Sequence, residues 1–268
     1  MTAPKRWAIQ QIFSQTYKNV ANTQVYATID DLKTCTVENA QENVYSMGGV
    51  GNPYLTSHSH SKRTTGTATA ATFKNDIIGL ITGTDVVTGT TTTPVNGEIQ
   101  TVTSNASLTT YTAVGTTDEE IIGLFEVGAD GSLGTEYTQV AGAPATGEYQ
   151  YDSGTKVLTF FAGDLDDGSE ISIFYEATAD TTSHTVTNDS GTFSKIVRIE
   201  MDTLVQDVCS GDEFAATLIV YKAKLQGNFS FDISADGDPA SLDVSFEALK
   251  ASCASSNLWD LKIIGSLT

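Results

Sequence analysis

Three short segments of the sequence contain residue types that could bind a metal ion or a nucleotide. His58 and His60 are two residues apart, and on a strand this spacing directs both imidazoles to one side, where they could ligate a metal. The acidic segment 164–170 resembles a calcium-binding loop, but its glycine comes one residue too early for the D-x-[DN]-x-[DN]-G pattern. Segment 48–51 lacks the G-x-G-x-x-G spacing of a dinucleotide loop. The ordinary interpretations are therefore favoured, namely a polar strand or loop, a solvated acidic turn and a glycine turn.

The sequence contains no catalytic constellation. It has no G-x-S-x-G nucleophile elbow, no G-x-x-x-x-G-K-[ST] phosphate loop and no H-E-x-x-H pair, and it has only three histidines. A glycosidase needs two carboxylates paired at a cleft, but with 33 acidic residues such a pair could always be named. We therefore predict no enzyme activity, no cofactor and no metal site.

The composition favours a mainly β protein but does not by itself indicate a function. The 268-residue chain has a formal net charge of -19 and contains 40 threonines, and threonine favours pleated, half-buried surfaces. A strongly acidic chain is a poor ligand for a nucleic-acid backbone, because phosphate binding depends on cations. No apolar run approaches the roughly 20 residues of a membrane-spanning helix, and no secretory signal is visible. A soluble protein without membrane binding is expected.

The pattern of turns and strands predicts three segments. Residues 96–180 carry short alternating runs separated by Asp and Gly turns, which predict a small acidic β module, either a sandwich or a partly closed barrel. This module is inserted between a first part, residues 1–95, and a second part, residues 181–268. The predicted strands of the module are 98–103, 121–127, 137–140, 156–161 and 170–177.

The sequence before the module shows a different pattern. A long Thr-rich strand over 57–72 is followed by an amphipathic pattern over 73–81, which predicts a short α-helix capped by Asn75 or Asp76. Segment 46–61 is polar and contains glycine, and it is predicted to be a loop.

The clearest pattern lies near the C-terminal end. Residues 228–234 and 241–247 alternate strictly between apolar and polar side chains and flank the turn sequence Ala-Asp-Gly-Asp-Pro, which predicts a hairpin. The candidate core of this hairpin is Phe229, Phe231, Ile233, Leu242, Val244 and Phe246. The opposite face is Asn228, Ser230, Asp232, Ser234, Ser241, Asp243, Ser245 and Glu247, with no cation and no large apolar side chain.

The segment Lys224–Lys250 resembles the C-terminal hairpin of phage major tail proteins, the subunits of the tail tube. Residues 48–62, the Thr-rich strand and the 73–83 helix and turn are similar to the same family, so the resemblance covers the two flanks. It implies a β-sandwich or barrel with one flanking helix, and hexameric rings that stack into a hollow tube for DNA ejection. The implied partners are further copies of the chain, other tail proteins (terminator, baseplate or tip, sheath) and DNA in transit. The implied location is the virion tail, after synthesis in the host cytoplasm.

On this interpretation the eight polar hairpin residues are candidate lumen-facing residues, because carboxylates and hydroxyls repel phosphate and offer no cation to it. An ordinary solvent-facing sheet surface accounts for them equally well. Segment 46–61 is then a candidate inter-ring arm, and residues 96–180 decorate the tube or contact a sheath or neighbouring ring. A capsid decoration protein or another head protein stays open as the alternative, since it shares the acidic, Thr-rich β character. A surface adhesin would need an export signal.

Overall fold

The computed structural model describes residues 3–231 and 240–265. The first elements are β1 (Trp7–Lys18), β2 (Val25–Ile29), β3 (Leu32–Met47), β4 (Tyr54–Ala70) and α1 (Asn75–Thr82). The next are β5 (Val87–Thr88), β6 (Thr92–Thr101), β7 (Ala106–Leu108), β8 (Ala113–Val114), β9 (Ile121–Val127), β10 (Leu133–Gln139), β11 (Glu148–Asp152), β12 (Val157–Phe160), β13 (Glu170–Thr178) and β14 (His184–Thr185). The last are β15 (Ile196–Asp207), β16 (Glu213–Leu225), β17 (Leu242–Ala248) and β18 (Trp259–Ile263). The predicted mainly β fold with one short helix is confirmed.

The chain forms two compact units. Unit 1 combines the residues up to Val86 with those from Val186 onward, and unit 2 is Val87–Thr185. Unit 2 is longer at both ends than the predicted module 96–180. The reason is that β5 and β14 pair with each other, and strands of two residues are too short to show a period in the sequence.

Unit 1 is built on one eight-stranded sheet. The strand order is β2-β1-β15-β16-β17-β4-β3, and β18 pairs with β16 beside this path. One face of the sheet packs on α1, whose buried Ile77, Leu80 and Ile81 join the main core with Ile199 and Val244. The helix therefore covers part of the apolar side of the sheet.

The helix α1 has a standard glycine cap at its C-terminal end but no side-chain cap at its N-terminal end. Lys74 is the N-cap residue and makes no side-chain cap hydrogen bond, so the predicted capping by Asn75 or Asp76 is wrong. Both residues lie inside the helix, where Asp76 in the first turn suits the helix dipole. The helix ends at Gly83, which has a φ of 83° and donates its N–H to the carbonyl of Gly79. Within the described residues, no helix is long and apolar enough to cross a membrane.

β3 and β4 form a long hairpin where a loop was predicted over 46–61. Pairing runs from Leu32 opposite Ala70 to Met47 opposite Tyr54. Apart from Gly48, every residue from 41 to 63 is exposed, and we call residues 41–62 the arm. The loop prediction was wrong because both faces of the arm are exposed, so its strands show no apolar alternation in the sequence.

Unit 2 has its own eight-stranded sheet and core. The strand order is β6-β13-β9-β10-β11-β12-β7, with β8 added on β13. The alternation of β13 buries Ile171, Ile173 and Tyr175, which pack with Leu124 and Leu158. Unit 2 carries 15 acidic side chains and one lysine, a net charge of -14.

The carboxylate of Glu98, on β6 of unit 2, accepts hydrogen bonds from three neighbouring residues. Oε1 of Glu98 accepts hydrogen bonds from the backbone N–H (2.8 Å) and the hydroxyl (2.5 Å) of Thr110 and from the amide of Gln100 (2.5 Å). Oε2 accepts from the hydroxyl of Tyr175. Burial alone would raise the pKa of Glu98, but these hydrogen bonds outweigh it and hold the pKa below its ordinary value.

The stability of unit 2 should therefore depend on the charge of Glu98. A carboxyl whose pKa is lowered by folding stabilises the folded state above its unfolded pKa, and that stabilisation is lost as the pH falls through the folded pKa. We expect the unfolding temperature to fall below about pH 4.5, and to fall less steeply in Glu98→Gln. Calorimetry from pH 3 to 7 measures this, with the exposed Glu170→Gln as the control of equal charge. Identical slopes in wild type and Glu98→Gln would contradict it.

Candidate functional site

The strand β17 divides its side chains between the two faces of the unit 1 sheet. Leu242, Val244 and Phe246 are at most 1% exposed and belong to the main core. Asp243 is exposed and Glu247 half-buried on the opposite face. Ser241 precedes the strand and is half-buried. The polar side chains of this strand thus lie on the face away from the core.

The strands β4 and β3 extend this polar surface by their register. Asp243 pairs with Thr69, and the hydroxyl of Thr69 donates to Oδ1 of Asp243 at 2.6 Å. The hydroxyls of Thr67 and Ser245 are 3.1 Å apart. We define the polar face as the nine residues Thr34, Thr36, Glu38, Thr65, Thr67, Thr69, Asp243, Ser245 and Glu247. It has three carboxylates and six hydroxyls and no cation of its own.

Cations border the polar face, which was not predicted from the sequence. On β4 itself the exposed Arg63 lies two residues before Thr65, on the same side of the strand. Lys224 of β16 lies directly opposite Glu247 in the ladder. Further along the sheet, Glu200 accepts from Lys18 at 2.6 Å and from Arg198 at 2.7 Å. Burial alone would raise the pKa of Glu200, but these two partners lower it below its ordinary value. Glu200 therefore stays ionised and offsets the cations beside it.

Residues 228–231, which belong to the first half of the predicted hairpin, do not form a strand. Asn228 and Ser230 are exposed in a segment without regular structure, so they do not lie on the polar face. Phe229 packs against the main core, but Phe231 is 56% exposed and is not a core residue. The ring of Phe231 lies 5.2 Å from Phe73 and 5.1 Å from Phe229, and these aromatic contacts replace strand pairing here.

The predicted residues Asp232, Ile233 and Ser234 lie outside the described residues. β17 pairs instead with β4 over 242–247 and with the end of β16. The sequence alternation located β17, but its partners come from distant parts of the chain and leave no local signal.

Two long edges of the unit 1 sheet have no strand partner in the part of the chain that the structure describes, and the short strands β2 and β18 are also paired on one side only. β2 covers only the second half of β1, from Gln15 to Lys18, and β3 is paired on one side only, with β4. Along the uncovered half of β1, Ile9 is 62% and Phe13 is 46% exposed. Unpaired edges of this length are templates for pairing with another chain.

The candidate metal ligands do not form a metal centre. His58 and His60 are exposed on the arm, where Nε2 of His60 is 3.3 Å from a carboxylate oxygen of Glu42. In the acidic segment 164–170, Asp164 accepts from the N–H of Gly147 at 2.7 Å. Asp167 of the same segment accepts from the N–H of Ser104 at 2.6 Å. Residues 3–231 and 240–265 contain no group of three or more His, Cys, Asp or Glu side chains able to hold a metal ion.

The unit 1 sheet therefore has an apolar face on which a helix packs, a polar opposite face and two long uncovered edges. The chain belongs to the YomU/Tube protein family, whose family model matches residues 7–259. The resemblance to tail tube proteins is thereby confirmed, and the protein is a phage tube protein, a structural component of the virion tail. No curated protein matches the sequence.

Proposed function

We propose that copies of this chain join edge to edge into closed hexameric rings, which stack into the phage tail tube. The observation that carries the proposal is the pair of uncovered edges, β3 and the first half of β1, on one sheet. A sheet that closes on itself through a ring of subunits leaves no edge exposed. In the same assembly, head-to-tail contacts between rings generate a filament.

The polar face is proposed to line the lumen. DNA must slide through a tail tube without adhering to its wall. Three carboxylates repel phosphate, and six hydroxyls present no charge to it. Of the originally predicted lumen residues, Asp243, Ser245 and Glu247 remain in this proposal. Asn228, Ser230 and Ser241 are left out of this proposal, because they lie outside the strands of the sheet.

The arm is proposed to make the axial contact between rings. Its strands continue in the direction of β3 and β4 beyond the body of the sheet, whereas edge pairing acts at right angles to the strands. Its exposed side chains contribute nothing to the core of their own subunit. An element of this kind is available for contact with another copy.

Electron microscopy of the purified protein tests the assembly. Negative staining over a range of protein concentrations should show rings and hollow tubes of constant diameter. Monodisperse single subunits at every concentration would contradict the proposed function.

Reversing charge on the polar face should make the tube bind DNA. Asp243→Lys combined with Glu247→Lys replaces two carboxylates by two cations, which can release counterions from phosphate. We expect short linear duplexes to bind assembled tubes of this variant about tenfold more tightly at low salt, with an affinity that falls as salt is added. Co-sedimentation measures the binding.

The matched control for this experiment is Glu119→Lys with Glu136→Lys, which makes the same charge change on exposed residues of unit 2. Equal DNA binding by the two double variants would show that the polar face does not line the lumen.

A further inference from the structure

An apolar groove lies between the start of β1 and the strand β3. Its volume is about 370 Å³, within the range of sites that hold apolar ligand groups. Its walls come from five strands and include Trp7, Ile9, Val37, Met201, Trp259 and Leu261. The indole N–H of Trp259 donates to Oδ1 of Asn39 at 3.0 Å, which ties β18 to β3. The groove is therefore formed before any partner binds.

The end of the arm carries apolar side chains that could fill such a groove. They form an exposed cluster on an otherwise polar hairpin. Val50 is fully exposed, and Met47, Tyr54 and Leu55 are 56%, 69% and 63% exposed. The rings of Tyr45 and Tyr54 lie 4.7 Å apart. We call residues 45–55 the tip. Burying these side chains in an apolar site would remove apolar surface from water and favour association.

The tip cannot reach the groove of its own chain. The strand β3 carries both features, since Val37 lines the groove and Met47 belongs to the tip. Ten residues of extended strand span roughly 33 Å. β3 is paired with β4 along this whole stretch, so it cannot fold back. An occupant from the same kind of chain must therefore come from a second copy.

We propose that the tip of one copy occupies the groove of the next copy. Each chain then offers one tip and one groove, and the contact is heterologous. Between stacked rings such a contact repeats from copy to copy along the tube axis and propagates a filament. This inference rests on the proposed self-assembly and identifies the surface that receives the arm. Val50 and Leu55 are the apolar anchors, and Trp7, Ile9 and Trp259 form the receiving wall.

Disulfide cross-linking of the full-length protein tests the contact. The three free cysteines, namely the exposed Cys209 and Cys253 and the half-buried Cys35 of the groove wall, are first replaced by serine. Val50→Cys is then combined with Ile9→Cys. A disulfide forms only when the two Cα atoms come within about 7 Å, so oxidation of assembled protein should give covalent ladders. Mass spectrometry should identify the 50–9 link between copies.

The matched control pairs Val50→Cys with Val25→Cys, because Val25 is 56% exposed but does not line the groove. If tubes form and the 50–9 link is no more frequent than the 50–25 link, the groove assignment is overturned while the tube function stands. If the wild-type protein never associates, both proposals fail.

Tryptophan fluorescence provides an independent readout. The chain has two tryptophans, and both line the groove. Assembly of the wild type should shift their emission to shorter wavelength as the groove fills. Val50→Asp should weaken assembly at least about tenfold, since a buried unpaired carboxylate is costly, whereas Ser57→Asp on the polar part of the arm should not. Equal assembly and an equal spectral shift in Val50→Asp would overturn the proposal.

Discussion

Replacing residues 41–62 with an Asn-Gly turn should abolish tube formation while unit 1 stays folded. Ala40 and Arg63 face each other in the ladder, so a two-residue turn of this type can connect them. Apart from Gly48, the removed residues are exposed, and none belongs to a core cluster. The deletion therefore removes contacts between copies without removing contacts within one copy.

Two measurements separate these effects. Thermal unfolding should give a midpoint within a few degrees of the wild type, and negative-stain images should show rings or single subunits but no tubes. Tubes of ordinary length from the deletion variant would show that the arm does not join rings. Early unfolding would show that the arm supports its own subunit.

Gly66→Ala should destabilise unit 1 by about 1–3 kcal/mol, the usual cost of overpacking a core. Gly66 lies on β4 directly opposite Phe246. A Cβ at this position would lie 2.6 Å from Cε1 of Phe246 and 2.9 Å from the carbonyl oxygen of Thr36. The aromatic ring is held in the core and the carbonyl belongs to β3, so neither can move away cheaply.

Urea unfolding measures this change, and a double-mutant cycle tests its cause. Gly66→Ala should cost less when combined with Phe246→Leu, because the shorter side chain makes room for the methyl group. Gly142→Ala is the control, since a Cβ there meets nothing within 4 Å, and it should be nearly neutral. Additive effects of Gly66→Ala and Phe246→Leu would show that the ring is not the obstacle.

Local patterns predicted individual elements well. Strand β9 was predicted with its observed bounds, and the helix was predicted within two residues of its start, because both depend on periods in a short stretch of sequence. The strand over 57–72 was predicted and corresponds to most of β4, but the first half of the arm was not predicted as a strand, since a strand exposed on both faces carries no apolar period. The same limit applies to the tip, whose apolar residues are scattered among polar ones in the sequence.

Pairing between strands was less predictable. The alternation of residues 228–234 suggested a partner for 241–247, but Phe231 contacts Phe73 and Phe229 instead of pairing in a strand. The longest pairing of β17 is with the Thr-rich β4, far away in sequence, and a shorter one is with the end of β16. The polar face could be foreseen for β17, but not its extension through β4 and β3.

Composition and local period are enough to predict the mainly β character, the short helix and the separation of apolar from polar side chains along β17. The neighbours of each strand, the uncovered edges and the position of the groove depend instead on contacts between distant parts of the chain. Trp7 and Trp259 come from opposite ends of the chain and meet in that groove. Such proximity depends on the free energy of the whole packed sheet, which no short stretch of sequence encodes.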